Sequence, residues 1–210
     1  NADQEALIVL HMDTPGGLDT SMRQIIKKIQ GSQVPVASFV APSGSRAASA
    51  GTFITIASHI AAMAPGTNIG AAHPVNMMGG GGESEQAKTM EQKVVNDAAA
   101  YIRSLAELRK RNVHWAELAV VQSVSISAEE AKRLNVIDLI AGDVKALALA
   151  VDGREVQVAS GSVTLKTGNL AIVYHEMNPR QKFLDLISNP NVAYILMMLG
   201  LVGLYFELSN

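Results

Sequence analysis

Short apolar segments alternate with amphipathic segments along most of this 210-residue chain. Ala6–Met12, Pro35–Val40 and His59–Met63 are mainly apolar runs of strand length, which is typical of strands buried on both faces. Leu18–Ile29 and Glu85–Arg111 carry apolar residues at helical spacing. Because strands that alternate with helices form parallel βαβ units, the pattern predicts an α/β domain.

The remaining elements are shorter. Ser127 and Glu130 have the spacing of a capping box, in which two side chains satisfy the free N–H groups at the start of a helix. Further helices are predicted at 49–58, 114–121 and 143–150, and further strands at 136–141, 155–165 and 170–174.

Composition excludes several classes of function. The net charge is -2 and no basic run is present, which argues against nucleic acid as a partner. The chain has no Cys, so thiol nucleophiles, cysteine-ligated metals and disulfides are excluded. Aromatic residues make up only 4% of the chain, so aliphatic side chains must build the core.

The segment from Gly44 to Gly51 consists of small residues apart from Arg46, and an apolar helical segment follows it. Ser49 is therefore expected on a tight strand-to-helix turn, where the free N–H groups of the helix N-terminus favour its alkoxide. A serine in such a place is suited to act as a nucleophile. A loop without a catalytic role, whose residues are small only because they pack tightly, would have the same composition.

Two other segments are rich in glycine. Asp13–Gly17 follows the first predicted strand and has the composition of a turn. Gly79–Gly82 is expected to lie in a flexible loop, residues 76–86, because four glycines do not hold one conformation cheaply. This loop would be either a flap over a site or a plain linker.

The C-terminal part of the chain is strongly apolar. Val192–Phe206 contains no charged residue, but it is shorter than the roughly 20 residues that span a bilayer. We interpret residues 177–210 as a connecting helix and the start of a membrane anchor. A buried helix, a partner-binding helix or an interfacial segment would also fit this pattern.

Three motifs, in this order, resemble a known family: Asp13–Gly17 after the first strand, Ala47–Gly51 after the second, and Ile126–Ala131 ahead of Asn135–Asp138. The chain resembles the NfeD-like membrane serine proteases, which have the Clp protease/crotonase fold of repeated ββα and βαβ units. The resemblance implies a protease domain over residues 1–176, followed by an apolar helix that leads into a membrane segment.

The resemblance also implies a mechanism. Ser49, rather than Ser43 or Ser45, would attack the scissile carbonyl, and the N–H groups of Gly17 and Ala50 would hold the oxyanion. The family uses a Ser-Lys dyad, and the stretch 92–96 resembles its lysine-bearing segment. Lys93 is therefore implied as the base, with Lys88 as the second choice.

A histidine base has less support. The histidine of the Clp proteases aligns with Ala72, one residue before His73, and an offset of one residue on a strand points a side chain to the opposite face. The aspartate of their triad aligns with Ser123, where this chain has no carboxylate nearby.

A lysine accepts a proton only in its neutral form, so burial or a nearby cation must favour the loss of its charge. Small residues around Ser49 and the apolar helix face are expected to bury Lys93. Asp97 lies four residues further on, and an ion pair between the two on a solvated helix face is the alternative.

The resemblance implies hydrophobic peptide segments as substrates, such as the C-terminal part of a stomatin-like membrane protein. It also implies membrane anchoring, an extracytoplasmic protease domain, a homodimer or larger homo-oligomer, and no metal or organic cofactor. Two other functions stay open. A crotonase-type acyl-CoA hydratase or isomerase would share the fold, and a non-catalytic scaffold for a membrane partner would need no nucleophile.

Overall fold

The computed structural model of the chain describes residues 6–74, 85–169, 171–188 and 190–208. Two compact units divide the chain, residues 1–170 and residues 171–210. The first unit contains all the described strands, whereas the second contains helices alone.

Nine strands occur in the described ranges: β1 (Ile8–Met12), β2 (Val36–Val40), β3 (Arg46–Ala48), β4 (Ile60–Met63), β5 (Asn68–Gly70), β6 (Ser125–Ser127), β7 (Leu139–Ile140), β8 (Glu155–Val158) and β9 (Gly161–Thr164). The helices in the same ranges are α1 (Asp19–Gln30), α2 (Ala50–Ala57), α3 (Glu85–Leu108), α4 (Val113–Val121), α5 (Ala128–Arg133), α6 (Val144–Val151), α7 (Pro179–Ser188) and α8 (Pro190–Leu208). The predicted mixed α/β architecture is confirmed.

The strands form three sheets. The largest has the order β1-β2-β4-β7 and is parallel throughout. A second sheet has the order β3-β5-β6, in which β3 and β5 are parallel and β6 is antiparallel to β5. The third sheet is the β8-β9 hairpin.

The central strand β2 is buried along its whole length. Val36 and Val40 pack into the core on one side of the sheet, while Ala37 and Phe39 pack into a second core on the other side. Because both faces of the parallel sheet are covered, the strand is apolar apart from the buried Ser38.

The second sheet is absent from the sequence-based prediction. Its strands β3, β5 and β6 have three residues each, which is too short for a period-2 alternation to be visible. Of the strand predicted at 136–141, only β7 forms. The N–H groups of Val136 and Ile137 are not available for a sheet, because they donate to the Ala131 carbonyl near the end of α5. Residues 171–174 are exposed and form no strand.

The long helix α3 is confirmed with two corrections. It ends at Leu108 rather than at residue 111. Of the apolar stripe predicted along it, Ala98, Ile102 and Leu105 are buried as expected, whereas Val94 and Leu108 are exposed. Its buried face consists of Ala98, Ala99, Ile102, Leu105 and Ala106. The loop predicted at 76–86 lies outside the described residues, except that Glu85 and Gln86 begin α3.

Helix α2 is buried at every position, so its last carbonyl groups need donors other than water. Arg111 supplies them: its Nη1 donates to the Thr55 carbonyl at 2.9 Å and to the Ile56 carbonyl at 2.6 Å. The Arg111 charge is balanced by Asp138 at 2.7 Å. These bonds fix the C-terminal end of the helix that carries Ser49 at its other end.

His59 is a buried histidine just before β4. Its Nδ1 accepts the Val36 N–H at 3.2 Å, while its Nε2 has no partner among the described residues. Burial, together with the positive charges of Arg109 and Arg111, lowers the pKa of His59 to about 4. The folded protein therefore holds this side chain neutral.

This neutral histidine predicts a pH-dependent stability. Between about pH 6.5 and pH 4 the unfolded chain binds a proton at His59 that the folded chain does not, so the free energy of unfolding falls as the pH falls. The loss is at most about 3 kcal/mol. Urea denaturation at pH 7 and pH 5 measures it. In His59→Gln this part of the pH dependence should vanish, and in the exposed-site control His114→Gln it should persist.

The second unit consists of α7 and α8. Asn178 precedes α7 and caps it, since its Oδ1 accepts the Gln181 N–H at 2.9 Å. The apolar run 192–206 lies inside α8. Within the described ranges, no helix combines the length and the apolarity needed to cross a membrane. The membrane anchor at 177–210 stays a prediction.

Candidate active site

Ser49 occupies the turn between β3 and α2, as the sequence predicted. Strand β3 ends at Ala48 and helix α2 begins at Ala50, so the change from strand to helix takes place at a single residue. Ser49 has φ 52° and ψ -116°, a conformation that residues with a Cβ rarely adopt. Such strain costs about 1–3 kcal/mol and persists chiefly at functional sites.

The Ser49 side chain is not used to hold the structure together. It stands at the N-cap of α2 but makes no capping hydrogen bond, although serine is among the residues that most often cap. Its backbone N–H donates to the Gly70 carbonyl at 3.1 Å. Ser49 is half-buried, and its Oγ is left available for chemistry.

The turn that follows β1 is attached to the edge of β3. Thr14 bridges to Ala47 in parallel, its N–H donates to the Arg46 carbonyl at 2.8 Å, and its carbonyl accepts the Ala48 N–H at 3.1 Å. Thr14 therefore acts as a one-residue strand beside β3. This pairing brings the glycines that follow it next to Ser49.

Two glycines of this turn lie against the β3–α2 turn. A Cβ on Gly16, whose φ is +140°, would lie 2.9 Å from the Ser49 Cβ. A Cβ on Gly17 would lie 3.9 Å from the Ala50 Cβ. Gly16 is therefore the glycine of this turn that Ser49 approaches most closely.

Gly17 and Ala50 carry the two N–H groups that the sequence predicted for an oxyanion. Neither N–H donates a hydrogen bond to any residue in the described part of the chain. Ala50 is the first residue of α2, where intrahelical acceptors are lacking and the helix dipole is positive. Two unpaired donors next to a serine form an arrangement that suits a developing negative charge.

Gly70 contacts the turn at Ser49 through its backbone carbonyl, and the sequence analysis did not identify it as part of the site. Its carbonyl accepts the Ser49 N–H and lies 2.9 Å from the hydroxyl of the buried Thr52. Gly70 has φ +137°, and a Cβ on it would overlap the Val124 carbonyl oxygen. Only glycine fits this position at the end of β5.

Replacing Gly70 with alanine should therefore destabilise the domain by about 3 kcal/mol, through backbone strain and overlap together. Urea denaturation measures the change. Gly161→Ala is the matched control: Gly161 also has a positive φ, +124°, but open space surrounds its missing Cβ. The control should cost only about 1–2 kcal/mol. Equal losses in the two variants would contradict the overlap with Val124.

Two contacts, in the same order along both segments, connect α2 with the C-terminal half of α3 and the residue after it. Phe53 stacks on Tyr101 with ring centroids 6.0 Å apart. Arg109, the residue after α3, donates from Nε to the carbonyl of Ala57, the last residue of α2, at 2.8 Å. The part of α3 that precedes Tyr101 therefore extends towards the end of α2 that begins at Ser49.

Lys93 and Lys88 both lie on this N-terminal part of α3, and both are exposed. The burial expected for Lys93 is not observed. At a rise of 1.5 Å per residue, Lys93 lies about 12 Å before Tyr101 along the helix and Lys88 about 20 Å. Asp97 does not pair with Lys93, because its carboxylate binds Arg23 at 2.5 Å. Measured along the axis of α3, Lys93 therefore lies nearer than Lys88 to the position of Ser49.

His73 is tied to the backbone of α4. Its Nδ1 lies 2.9 Å from the Val120 carbonyl, and because a carbonyl only accepts, this nitrogen carries the proton. Ala72, where the resemblance places the histidine of the Clp proteases, is buried. Ser123 lies on an exposed turn with φ 57°.

A serine on a strained strand-to-helix turn, with free N–H groups beside it, is the arrangement that serine hydrolases use for acyl transfer. Comparison with known proteins narrows this class. The family model described as the N-terminal domain of NfeD1b matches residues 1–170. The chain belongs to this family.

A curated relative agrees with this assignment. The membrane-bound protease PH1510 of Pyrococcus horikoshii is 37% identical to the chain over 206 residues. The match covers 96% of the chain and 46% of the relative, so the chain spans about half the length of that protein.

Solved structures of 1510-N resemble the chain in sequence and in fold. The 1510-N membrane-bound stomatin-specific protease, as a lysine-to-alanine mutant with a substrate peptide, matches with a TM-score of 0.78 and 36% identity, covering 89% of this chain and 84% of that one. A serine-to-alanine mutant matches with a TM-score of 0.76 and 36% identity, covering 84% and 85%. The 1510-N protease specific for a stomatin homolog from Pyrococcus horikoshii matches with a TM-score of 0.75 and 34% identity. This match covers 90% of this chain and 85% of that one.

Proposed function

We propose that this chain is the serine endopeptidase domain of a membrane-bound protease, with Ser49 as the nucleophile and Lys93 as the base. The observation that carries the proposal is the strained turn at Ser49, whose unused hydroxyl stands beside the free N–H groups of Gly17 and Ala50. The relatives support it, since one solved relative is a serine mutant and another is a lysine mutant bound to a substrate peptide.

The proposed reaction begins when the Ser49 Oγ attacks the scissile carbonyl carbon and its proton passes to the neutral amine of Lys93. The carbonyl oxygen becomes an oxyanion, which the N–H groups of Gly17 and Ala50 hold. Each such donor is worth about 3 kcal/mol of transition-state stabilisation. The C–N bond then breaks, Lys93 returns the proton to the leaving amine, and water hydrolyses the acyl-enzyme.

The position of Lys93 along α3 favours it over Lys88 as the base. Lys93 lies nearer to the level of Ser49 along α3, as the contact between Phe53 and Tyr101 indicates. The acidic neighbour of Lys93 is engaged elsewhere, so no described carboxylate holds its positive charge in an ion pair. The spacing between the replaced serine and the replaced lysine of the solved relatives fits Lys93 and Lys88 about equally, so it does not separate the two.

The substrates that fit the proposal are apolar peptide segments, and a stomatin-like membrane protein is the candidate source because 1510-N is specific for a stomatin homolog. We extend the proposal to membrane association, with the protease domain on the extracytoplasmic side, and to a homodimer or larger homo-oligomer. Sedimentation of the purified chain would measure the number of subunits.

Covalent labelling and product analysis together test the proposed function. A fluorophosphonate should phosphonylate Ser49 with loss of fluoride, and mass spectrometry of the digested protein should locate the adduct there and not on Ser43 or Ser45. The same preparation should cleave members of an apolar peptide library and leave acyl-CoA thioesters unchanged. Turnover of a thioester without peptide cleavage would instead favour a crotonase-type enzyme. Neither labelling nor turnover would favour a scaffold.

A further inference from the structure

Arg23, on α1, joins three groups from two helices. Its Nε lies 2.9 Å from a carboxylate oxygen of Asp19, one turn earlier on the same helix. Its Nη2 lies 2.5 Å from a carboxylate oxygen of Asp97 on α3. The guanidinium also lies over the ring of Tyr101, 4.3 Å from the centroid. The Arg23 side chain is thus held in one geometry.

These contacts continue to the helix of the nucleophile. Tyr101 stacks on Phe53, which lies on α2 one turn after Ser49. A chain of direct contacts therefore leads from the helix that begins at Ser49, through two stacked rings, to Arg23 and on to Asp97. The cluster connects α1, α2 and α3 at the level of the proposed site.

Asp97 is the acidic residue best placed to disturb Lys93. Positions three and four residues apart are neighbours on a helix, and around Lys93 these positions hold Thr89, Met90, Asn96 and Asp97. An unengaged Asp97 carboxylate would pair with the Lys93 ammonium and stabilise its protonated form.

Among the described residues, the other charged groups near this part of α3 are less well placed than Asp97. Glu91 lies two residues before Lys93 and therefore does not face it. Glu85 lines the same surface depression as Lys93 but lies two helical turns away. From α1, Asp19 is engaged by Arg23. Helix α2 carries no ionisable side chain.

We propose that Arg23 is a positioning residue for Lys93, because it binds Asp97 and so keeps that carboxylate from pairing with the lysine. This inference rests on the proposed function of the Ser49–Lys93 pair. It identifies a residue on α1 that controls the proton on the base without contacting the substrate.

The energetics favour the Arg23 pair over the Lys93 pair. A lysine that precedes its acidic partner by four residues is in the less favourable helical orientation. Arg23, in contrast, is held in place by Asp19 and by the ring of Tyr101, so it loses little further freedom on binding Asp97. Since the Asp97 side chain is 69% exposed, the pair adds little to folding stability, and its effect is expected in the pH profile instead.

The test is the pH dependence of kcat/KM for peptide cleavage. In Arg23→Met, Asp97 is released to pair with Lys93, so the acidic limb of the profile should move to higher pH by about 0.2–0.4 unit, the shift that corresponds to an exposed helical ion pair. The double variant Arg23→Met/Asp97→Asn should return the limb to its wild-type position, and Arg23→Lys should retain it. Asp19→Asn is the matched control, because it removes a partner of Arg23 but leaves Asp97 bound, and its profile should match the wild type.

Two results would overturn the inference: an Arg23→Met profile that coincides with the wild type, or a double variant that keeps the displaced limb. A loss of folding in Arg23→Met would lower activity equally at every pH and would not move the limb. If the wild type cleaves the peptide and Ser49→Ala does not, the proposed function is established independently of this inference about Arg23. Without such cleavage in the wild type, the proposed function and this inference would both fail.

Discussion

Replacing Ser49 with alanine is expected to reduce kcat/KM for peptide cleavage by at least about 10⁴-fold, because the nucleophile that forms the acyl-enzyme is lost. The residual rate would come from the oxyanion donors and from substrate binding, which this substitution leaves in place. Cleavage of a fluorogenic apolar peptide under kcat/KM conditions measures the loss.

The matched control for this variant is Ser43→Ala. Ser43 is an exposed serine in the loop that leads into β3, so its hydroxyl can be removed without reaching the turn. We expect it to keep wild-type activity. Circular dichroism and thermal denaturation should show that Ser49→Ala still folds, since its side chain makes no capping bond. Undiminished cleavage by folded Ser49→Ala would refute the serine protease mechanism.

Replacing Lys93 with alanine is expected to lower kcat/KM by about 10³-fold, the usual contribution of a general base. Lys88→Ala is the matched control, since Lys88 is also exposed on the first part of α3. It should stay within about twofold of the wild type, because surface substitutions away from the site have small effects.

A further variant separates the role of a base from that of a positive charge. Lys93→Arg keeps the charge but cannot lose its proton, so it should be as inactive as Lys93→Ala. Activity retained in Lys93→Arg would indicate that the charge alone matters. Loss of activity in Lys88→Ala, with Lys93→Ala unaffected, would transfer the role of base to Lys88, and loss in His73→Ala alone would transfer it to the histidine.

The sequence predicts the longer elements of this fold and misses the shortest. Val36–Val40 is visible because a strand buried on both faces is mainly apolar, and Ile8–Met12, which is only partly buried, is visible as a mainly apolar run of strand length. The capping box at Ser127 and Glu130 is visible because it is a local pattern, and the structure confirms both of its hydrogen bonds. The three-residue strands of the second sheet pair with segments that are distant in sequence, so no local pattern predicts them.

The same distinction applies to the candidate site. Ser49 could be located from its neighbours, because small residues ahead of an apolar helix predict a tight turn whatever the rest of the chain does. Gly70 could not, because its requirement for glycine comes from the Val124 carbonyl, which lies over fifty residues further along the chain. The pairing of Asp97 likewise could not be predicted, since its partner Arg23 belongs to another helix.

The sequence by itself determined the α/β class, the order of the main elements, the turn that carries Ser49, and the absence of cysteine chemistry. These follow from local periodicity, capping and composition, which act over a few residues. Only the tertiary structure decided that Gly16 approaches Ser49, that Thr14 attaches the glycine turn to β3, and that Arg23 holds Asp97. These contacts join segments distant in sequence, and close packing and hydrogen-bond geometry select them only once the chain has folded.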